Sequence, residues 1–429
     1  MTTIEPLRLG VALEGAGWHP SAWREPSSRP HELFTAAYWA DLIGIADRAG
    51  IDFATIEDEL ALQSSDALAP DDRTDEVRGR LDALLIAARV APVTERIGLV
   101  PTVTTTHTEP FHVSKAVATL DHVSEGRAGW RAKVSARPDA ARHFGRRETV
   151  DLAIPLDLAD ERTRRFVEEL FAEAADVVEI VRRLWDSWED DAEIRDVQTD
   201  RFLDADRLHT IDFESERFRV RGPSITPRPP QGQPVVTVLA HSAEPYRLAA
   251  TSADVVFVTP RDAADAAGIL AEVRAIEAEA ERSERLRVFA DLVVFLDAAR
   301  PAAAGPDATE TATPETATPE TDAGEPASAR LARLDALGGP LSSDARVFAG
   351  SAAQLADEIA ALHAAGYDGV RLRPGVATDD LPRIADDLVP ELRRRGLLAS
   401  DDDGAPVSLR ARLGLTAQAP NRYAPALAG

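Results

Sequence analysis

Short apolar runs alternate along this chain with longer stretches in which apolar residues recur at three-four spacing. Residues 7–13 (LRLGVAL), 53–58 (FATIED), 97–105 (IGLVPTVTT) and 128–135 (AGWRAKVS) read as strands. So do residues 235–240 (VVTVLA), 254–259 (DVVFVT), 286–296 (LRVFADLVVFL) and 369–373 (GVRLR). Helical spacing covers residues 33–49, 81–91, 111–124 and 162–188. In the longest of these, Phe166, Leu170, Ala174, Val177, Val181 and Leu184 mark one apolar face. Gly50 and Gly126 supply stops. Eight strand-then-helix units predict a single α/β domain over residues 1–429, a closed (β/α)₈ TIM barrel. A doubly wound sheet in two domains is the alternative, but no linker of altered composition divides the halves.

Two stretches break this rhythm. Residues 190–232 read as a short hairpin and then a proline-rich loop, an insertion before the fifth strand that would sit over one barrel end. Residues 298–328 follow the seventh strand, repeat TATPE, and hold no aromatic or large aliphatic side chain. Such a stretch cannot add to a core, so it reads as a disordered acidic Thr/Pro/Ala/Glu loop.

Composition narrows the function classes. Lys and Arg total 48 against 73 Asp and Glu, a formal charge of −25. A basic nucleic-acid groove and a polybasic membrane anchor are therefore not expected. Cysteine is absent, which removes disulfides, thiol nucleophiles and cysteine-held iron–sulfur clusters. The first residues, MTTIEPLRLG, lack a positive region followed by an apolar stretch. No run approaches the length of a membrane helix. A cytoplasmic protein is the expectation.

Barrel chemistry is built at the C-terminal ends of the strands. The polar residues there are Glu57, Asp58 and Glu59, then Thr104, Thr105, Thr106 and His107. Further round come Arg131, Lys133 and Ser135, then His241 and Ser242. The set offers hydroxyls and cations rather than a carboxylate pair. Glu57 and Asp58 are adjacent, so a strand points them to opposite faces. Arg131 and Lys133 are two apart, so both line the mouth or neither does; two cations there suit a phosphate or an acidic substrate. No metal site is expected: His107, His112, His122 and His143 have no ligand spacing, and HExxH is missing. GxGxxG and GxxxxGK[ST] are missing too.

Several motifs, in their order and spacing, carry a resemblance. They are HPSAWREP (19–26), ERIGLV (95–100), TTTHTEPFHVSK (104–115) and, most specific, ATLDHVSEGRAGW (118–130). LWDSWEDDA (184–192), RVRGPSITPRPPQGQPVV (219–236), LVPELRRRGL (388–397) and LRARLGL (409–415) follow. Together they resemble the flavin-dependent monooxygenases of the bacterial luciferase-like superfamily. The branch is that of the nitrilotriacetate, dibenzothiophene-sulfone and pristinamycin-synthase monooxygenases. The resemblance implies FMN, bound as FMNH₂ at the C-terminal barrel face and supplied by a separate NAD(P)H:FMN reductase. Oxygen then adds at the flavin C4a, and the peroxide delivers one oxygen atom to a small organic substrate. A homodimer is common among similar barrels. By position, Asp58, Thr104 and Thr105 fall beside the flavin ring and Ser242 falls at its phosphate. His107, Lys133 and His241 are the candidates for the substrate pocket, with the 190–232 insertion at its rim.

The chain also departs from the family pattern. Where the family has WN followed by VVTS, this chain has Trp130, Arg131, Ala132, Lys133, Val134 and Ser135, so Arg131 replaces a flavin-contacting Asn. FLAD becomes Thr55, Ile56, Glu57, Asp58. Leu170 and Phe171 replace an Arg-Tyr pair, and Pro245 replaces a glycine after the fifth strand. Three readings follow: an FMNH₂-dependent monooxygenase with altered cofactor contacts, an F420- or other flavin-dependent oxidoreductase, and a degenerate barrel that binds a ligand without catalysis.

Overall fold

The computed structural model describes residues 5–424 apart from 67, 149, 151, 153–155, 281, 299–323 and 400–406. The apolar runs form parallel strands: β1 (Arg8–Leu13), β2 (Phe53–Ile56), β3 (Gly98–Thr104) and β4 (Gly129–Lys133). Two short antiparallel hairpins follow, β5 (Glu193–Asp196) with β6 (Arg201–Leu203) and β7 (Phe213–Glu214) with β8 (Arg219–Val220). Parallel strands resume with β9 (Val235–Leu239), β10 (Val255–Val258), β11 (Arg287–Leu296), β12 (Arg346–Gly350) and β13 (Gly369–Pro374). The helices are α1 (Ala36–Arg48), α2 (Ala83–Val90), α3 (Pro110–Val123), α4 (Pro138–Phe144), α5 (Glu161–Asp186) and α6 (Ala243–Ser252). They continue as α7 (Ala263–Glu279), α8 (Ala327–Gly338), α9 (Ala352–Ala365), α10 (Ala377–Arg383), α11 (Val389–Arg394) and α12 (Leu409–Arg412).

Strands β1, β2, β3, β4, β9, β10, β11 and β13 close into a ring, because β13 pairs with β1 and β10 with β11. This is the (β/α)₈ barrel the periodicity predicts. Strand β12 was not anticipated. It exists because β11 is ten residues long and buried throughout. The first part of β11 pairs with β10, and Leu292–Leu296 then pairs with β12 beyond the ring. RVFAG at 346–350 is too short to show a period of its own.

The N-terminal end of the barrel is closed by apolar side chains. Phe53, Phe257 and Phe289, from β2, β10 and β11, meet across the axis with ring centres 5.6–6.1 Å apart. Leu409 and Leu413 on and after α12 pack beneath them. Glycine makes room for the rings: a Cβ on Gly10 would stand 2.3 Å from Phe53, and one on Gly369 would stand 2.3 Å from Phe289.

The 190–232 segment is anchored away from the mouth. Arg228 pairs with Asp186 at 3.0 Å, at the end of α5. The Gln231 amide donates to the Asp121 carboxylate and to the carbonyl of Ala128, just before β4. Of the 298–328 loop, residues 299–323 lie outside the described residues, and Ala327 already begins α8.

Candidate functional site

Above the phenylalanines the barrel interior turns ionic. The Arg371 guanidinium lies 3.9 Å from the centre of the Phe257 ring. It donates to Asp291 Oδ1 at 2.8 Å and to Thr55 Oγ1 at 3.1 Å. Arg373, two residues on and so on the same face of β13, donates to Asp291 Oδ2 at 3.0 Å and to Asp344 Oδ1 at 2.5 Å. Its other side covers the Trp18 ring at 4.5 Å. On the facing wall Arg131 donates to Glu57 Oε2 at 2.8 Å. Glu57 Oε1 stands 3.7 Å from Arg371, which joins the two clusters. The charged side chains among these are all buried except Asp344. Burial alone would raise the Glu57 and Asp291 carboxyls, but the facing guanidinium groups outweigh it and hold both below the ordinary carboxylate range.

Lys133 lies two residues further along the inward face of β4, about 6.6 Å nearer the mouth than Arg131. Both cations share the inward face, the first of the two arrangements that their spacing allows. The Lys133 ammonium pairs with Glu59 Oε2 at 2.7 Å and donates to the Asp58 carbonyl at 3.0 Å. It borders a cavity of about 580 Å³. The walls are the loop after β1 with Trp18, His19 and Trp23, the loop after β2, residues 133–137, and residues 338–342. His19 is buried and holds this wall: its Nδ1 accepts from the Ser21 N–H at 3.0 Å and its Nε2 meets Asp335 at 3.1 Å.

A family model for luciferase-like monooxygenases matches residues 16–369. The chain belongs to the luciferase-like monooxygenase family. It is 34 % identical over 302 residues to nitrilotriacetate monooxygenase component A of Aminobacter aminovorans, covering 69 % of this chain and 63 % of that one. It is 30 % identical over 243 residues to dibenzothiophene-sulfone monooxygenase of Rhodococcus erythropolis, covering 55 % and 49 %. The matched stretches thus span about half to under two thirds of these relatives. The fold superposes on long-chain alkane monooxygenase with a TM-score of 0.77 at 21 % identity, over 98 % of each chain. The branch and the barrel read from the motifs agree with these findings.

Luciferase-like monooxygenases use reduced flavin, so the positions that the resemblance assigns to it can be tested for fit. Asp58 accepts from the N–H groups of Ala83, the first residue of α2, and Glu59, at 2.9 and 2.7 Å. Thr104 is buried, and the Thr105 hydroxyl donates to the Lys133 carbonyl at 3.1 Å. Arg131 is held by Glu57. Ser242 is the N-cap of α6, exposed and without a cap bond. The turn behind it holds Glu244, a like charge for a phosphate, and Pro245, which has no N–H. As folded, these five positions do not fit a flavin.

The substrate candidates scatter. Lys133 lines the cavity. His241 is exposed and joins the ionic cluster from outside, 2.9 Å from Thr259 Oγ1 and 3.3 Å from Asp344. His107 stacks on Phe144 at 5.1 Å, with a left-handed backbone. Among the described residues, no group of three His, Asp or Glu side chains converges as a metal site would need. No described helix is long and apolar enough to cross a membrane.

Sequence reasoning missed Asp291, Arg371, Arg373 and Asp344. Two signals were present. Asp291 stands alone inside an apolar strand, and the two arginines alternate at period two in GVRLR. A lone buried acid demands a cation.

Proposed function

We propose that the protein is the oxygenating component of a two-component flavin-dependent monooxygenase, working in the cytoplasm as a homodimer. A separate NAD(P)H:FMN reductase supplies FMNH₂, and oxygen from O₂ goes to a small organic substrate. The single observation that carries this reading is the family match across residues 16–369. The mouth cavity supports it: about 580 Å³ lies within the range of roughly 300–1,000 Å³ that small-molecule sites occupy. Reduced flavin supplies the oxygen-activating chemistry. The chain's own residues hold and shield. Glu59 and Asp139 hold Lys133 and Arg137 at the wall, Glu14 fixes Arg80, and Trp18 and Trp23 exclude water. Nitrilotriacetate and dibenzothiophene sulfone, named for the relatives, are starting substrates.

The test supplies a flavin reductase, FMN, NADH and isotopically labelled O₂ with a panel built on those compounds. One labelled oxygen atom should enter a product only when the chain is present. If no panel member is labelled and the chain leaves the reductase's oxygen uptake unchanged, the reading fails.

A further inference from the structure

The acids that end and follow β2 share a period with the cations of β4. Glu57 and Glu59 are two apart, as are Arg131 and Lys133. The fold sets them opposite each other as two rungs: Arg131 donates to Glu57 at 2.8 Å, and Lys133 meets Glu59 at 2.7 Å. The inner rung is buried in the barrel, and the outer one stands in the wall of the mouth cavity. The two cations of β4 are therefore not open to a phosphate or an acidic substrate, as their spacing alone suggests.

The rest of the wall is paired in the same way. Arg80 meets Glu14, which also accepts from the Gln63 amide at 2.9 Å. Arg73 pairs with Asp75 at 2.8 Å and with Glu76 at 2.9 Å. Arg137 pairs with Asp139 at 2.6 Å. The four cations that line the cavity thus face five carboxylates, and each is in contact with at least one. A ligand carboxylate or phosphate would have to take a cation from its partner, in a chain of −25 whose field opposes the approach. A ligand ammonium would have to take a carboxylate from its cation. Either exchange leaves a charge of the wall without its partner. What the wall offers without such an exchange is apolar surface. The Trp18 and Trp23 N–H groups are committed to the carbonyls of Ala12 and Asp75, at 2.8 and 2.9 Å. Their rings border the cavity together with Leu62, Leu68, Val77 and Val134.

We infer that the mouth cavity selects an uncharged, largely apolar small molecule, and that its paired wall excludes anions and cations alike. This rests on the reading above that the cavity receives the substrate, and it narrows the class of that substrate.

The experiment is a calorimetric titration of the full chain, without flavin and at neutral pH, with three probes on one ring system. They are naphthalene-2-carboxamide, 2-naphthoate and 2-naphthylmethylammonium. The carboxamide should bind saturably, and each ion should bind about tenfold more weakly or worse. Two variants then read the cause in opposite directions. Glu59→Gln leaves Lys133 uncompensated, so it should strengthen naphthoate binding about fivefold and hold the carboxamide within about twofold. Lys133→Gln leaves Glu59 uncompensated and should do the same for the ammonium probe. Both effects are gains, which a loosened fold cannot imitate. A wild type that binds either ion as tightly as the carboxamide would overturn the inference. So would variants whose charge preference does not shift, and so would a cooperatively folded wild type that binds none of the three probes. The flavin reading is untouched by these results, because it stands or falls with the labelled-oxygen experiment.

Discussion

The two ends of the barrel are closed by opposite chemistry. At the N-terminal end three phenylalanine rings and two leucines fill the axis. At the C-terminal end five buried charged side chains do the same work in pairs. Apolar closure is non-directional, and each group contributes by its own burial. Ionic closure is directional, and each charge is tolerable only beside its partner. The first kind of end forgives substitution in proportion to the volume removed. The second does not, and it also fixes where a ligand cannot go.

Asp291→Ala should have the largest effect. It leaves Arg371 and Arg373 buried without their shared carboxylate, a loss of about 3–5 kcal/mol in denaturant unfolding. The pH sign follows from the depressed carboxyls. Glu57 and Asp291 have folded pKa values below their unfolded ones. Their contribution is fully present above the unfolded value of about 4 and is lost as pH falls toward the folded values. The difference between wild type and Asp291→Ala should therefore shrink on acidification below about pH 4. A gap that is constant with pH would mean the mouth is held by packing and not by charge.

Leu409→Ala tests the other end. Leu409 is 1 % exposed and lies against Gly98 and Gly129, which leave room for it. The loss should be about 3 kcal/mol by the same measurement, without the acid dependence. If its cost varied with pH as Asp291→Ala does, the contrast between the two ends would collapse.

Much of this architecture was legible. Most of the ring strands were readable as short, largely apolar runs, as a strand covered on both faces must be, while β4 and β13 alternate apolar with basic residues. Strand β12 was not, since it depends on the unusual length of β11, a tertiary fact. That Lys133 shares a face with Arg131 was legible from their period-two relation, but which face was not. The ion network was not, because pairing between Glu57 and Arg131, or between Asp291 and Arg371, is set by barrel closure and not by sequence distance. The 190–232 segment was expected at the rim and is instead bound to α5 and the start of β4.

A buried acid at the N-terminal end gives the opposite pH sign. Burial raises the Asp121 carboxyl to about 6, against the bonds it accepts from Gln231 and Ala128. Its folded pKa exceeds the unfolded one, so stability falls as pH rises from about 4 to about 6. Asp121→Asn should remove that decline, on the order of 1–3 kcal/mol across the window. Stability curves of variant and wild type that stay parallel from pH 4 to 6 would refute it.

The smallest contrast concerns two serines that both start helices. Ser351 caps α9 in a full capping box: its hydroxyl accepts from the Gln354 N–H, and the Gln354 side chain accepts from the Ser351 N–H. Ser242 caps α6 with no side-chain bond at all. Ser351→Ala should cost about 1 kcal/mol, while Ser242→Ala should cost under about 0.5 kcal/mol. Equal losses would show that the Ser242 hydroxyl does bond the first turn of α6 in solution. That would take from the mouth the group that the family resemblance assigns to a phosphate. A negligible loss leaves the hydroxyl free. Glu244 and Pro245 behind it would then be what sets this turn against an anion, and replacing those two residues would be the way to build an anion site there.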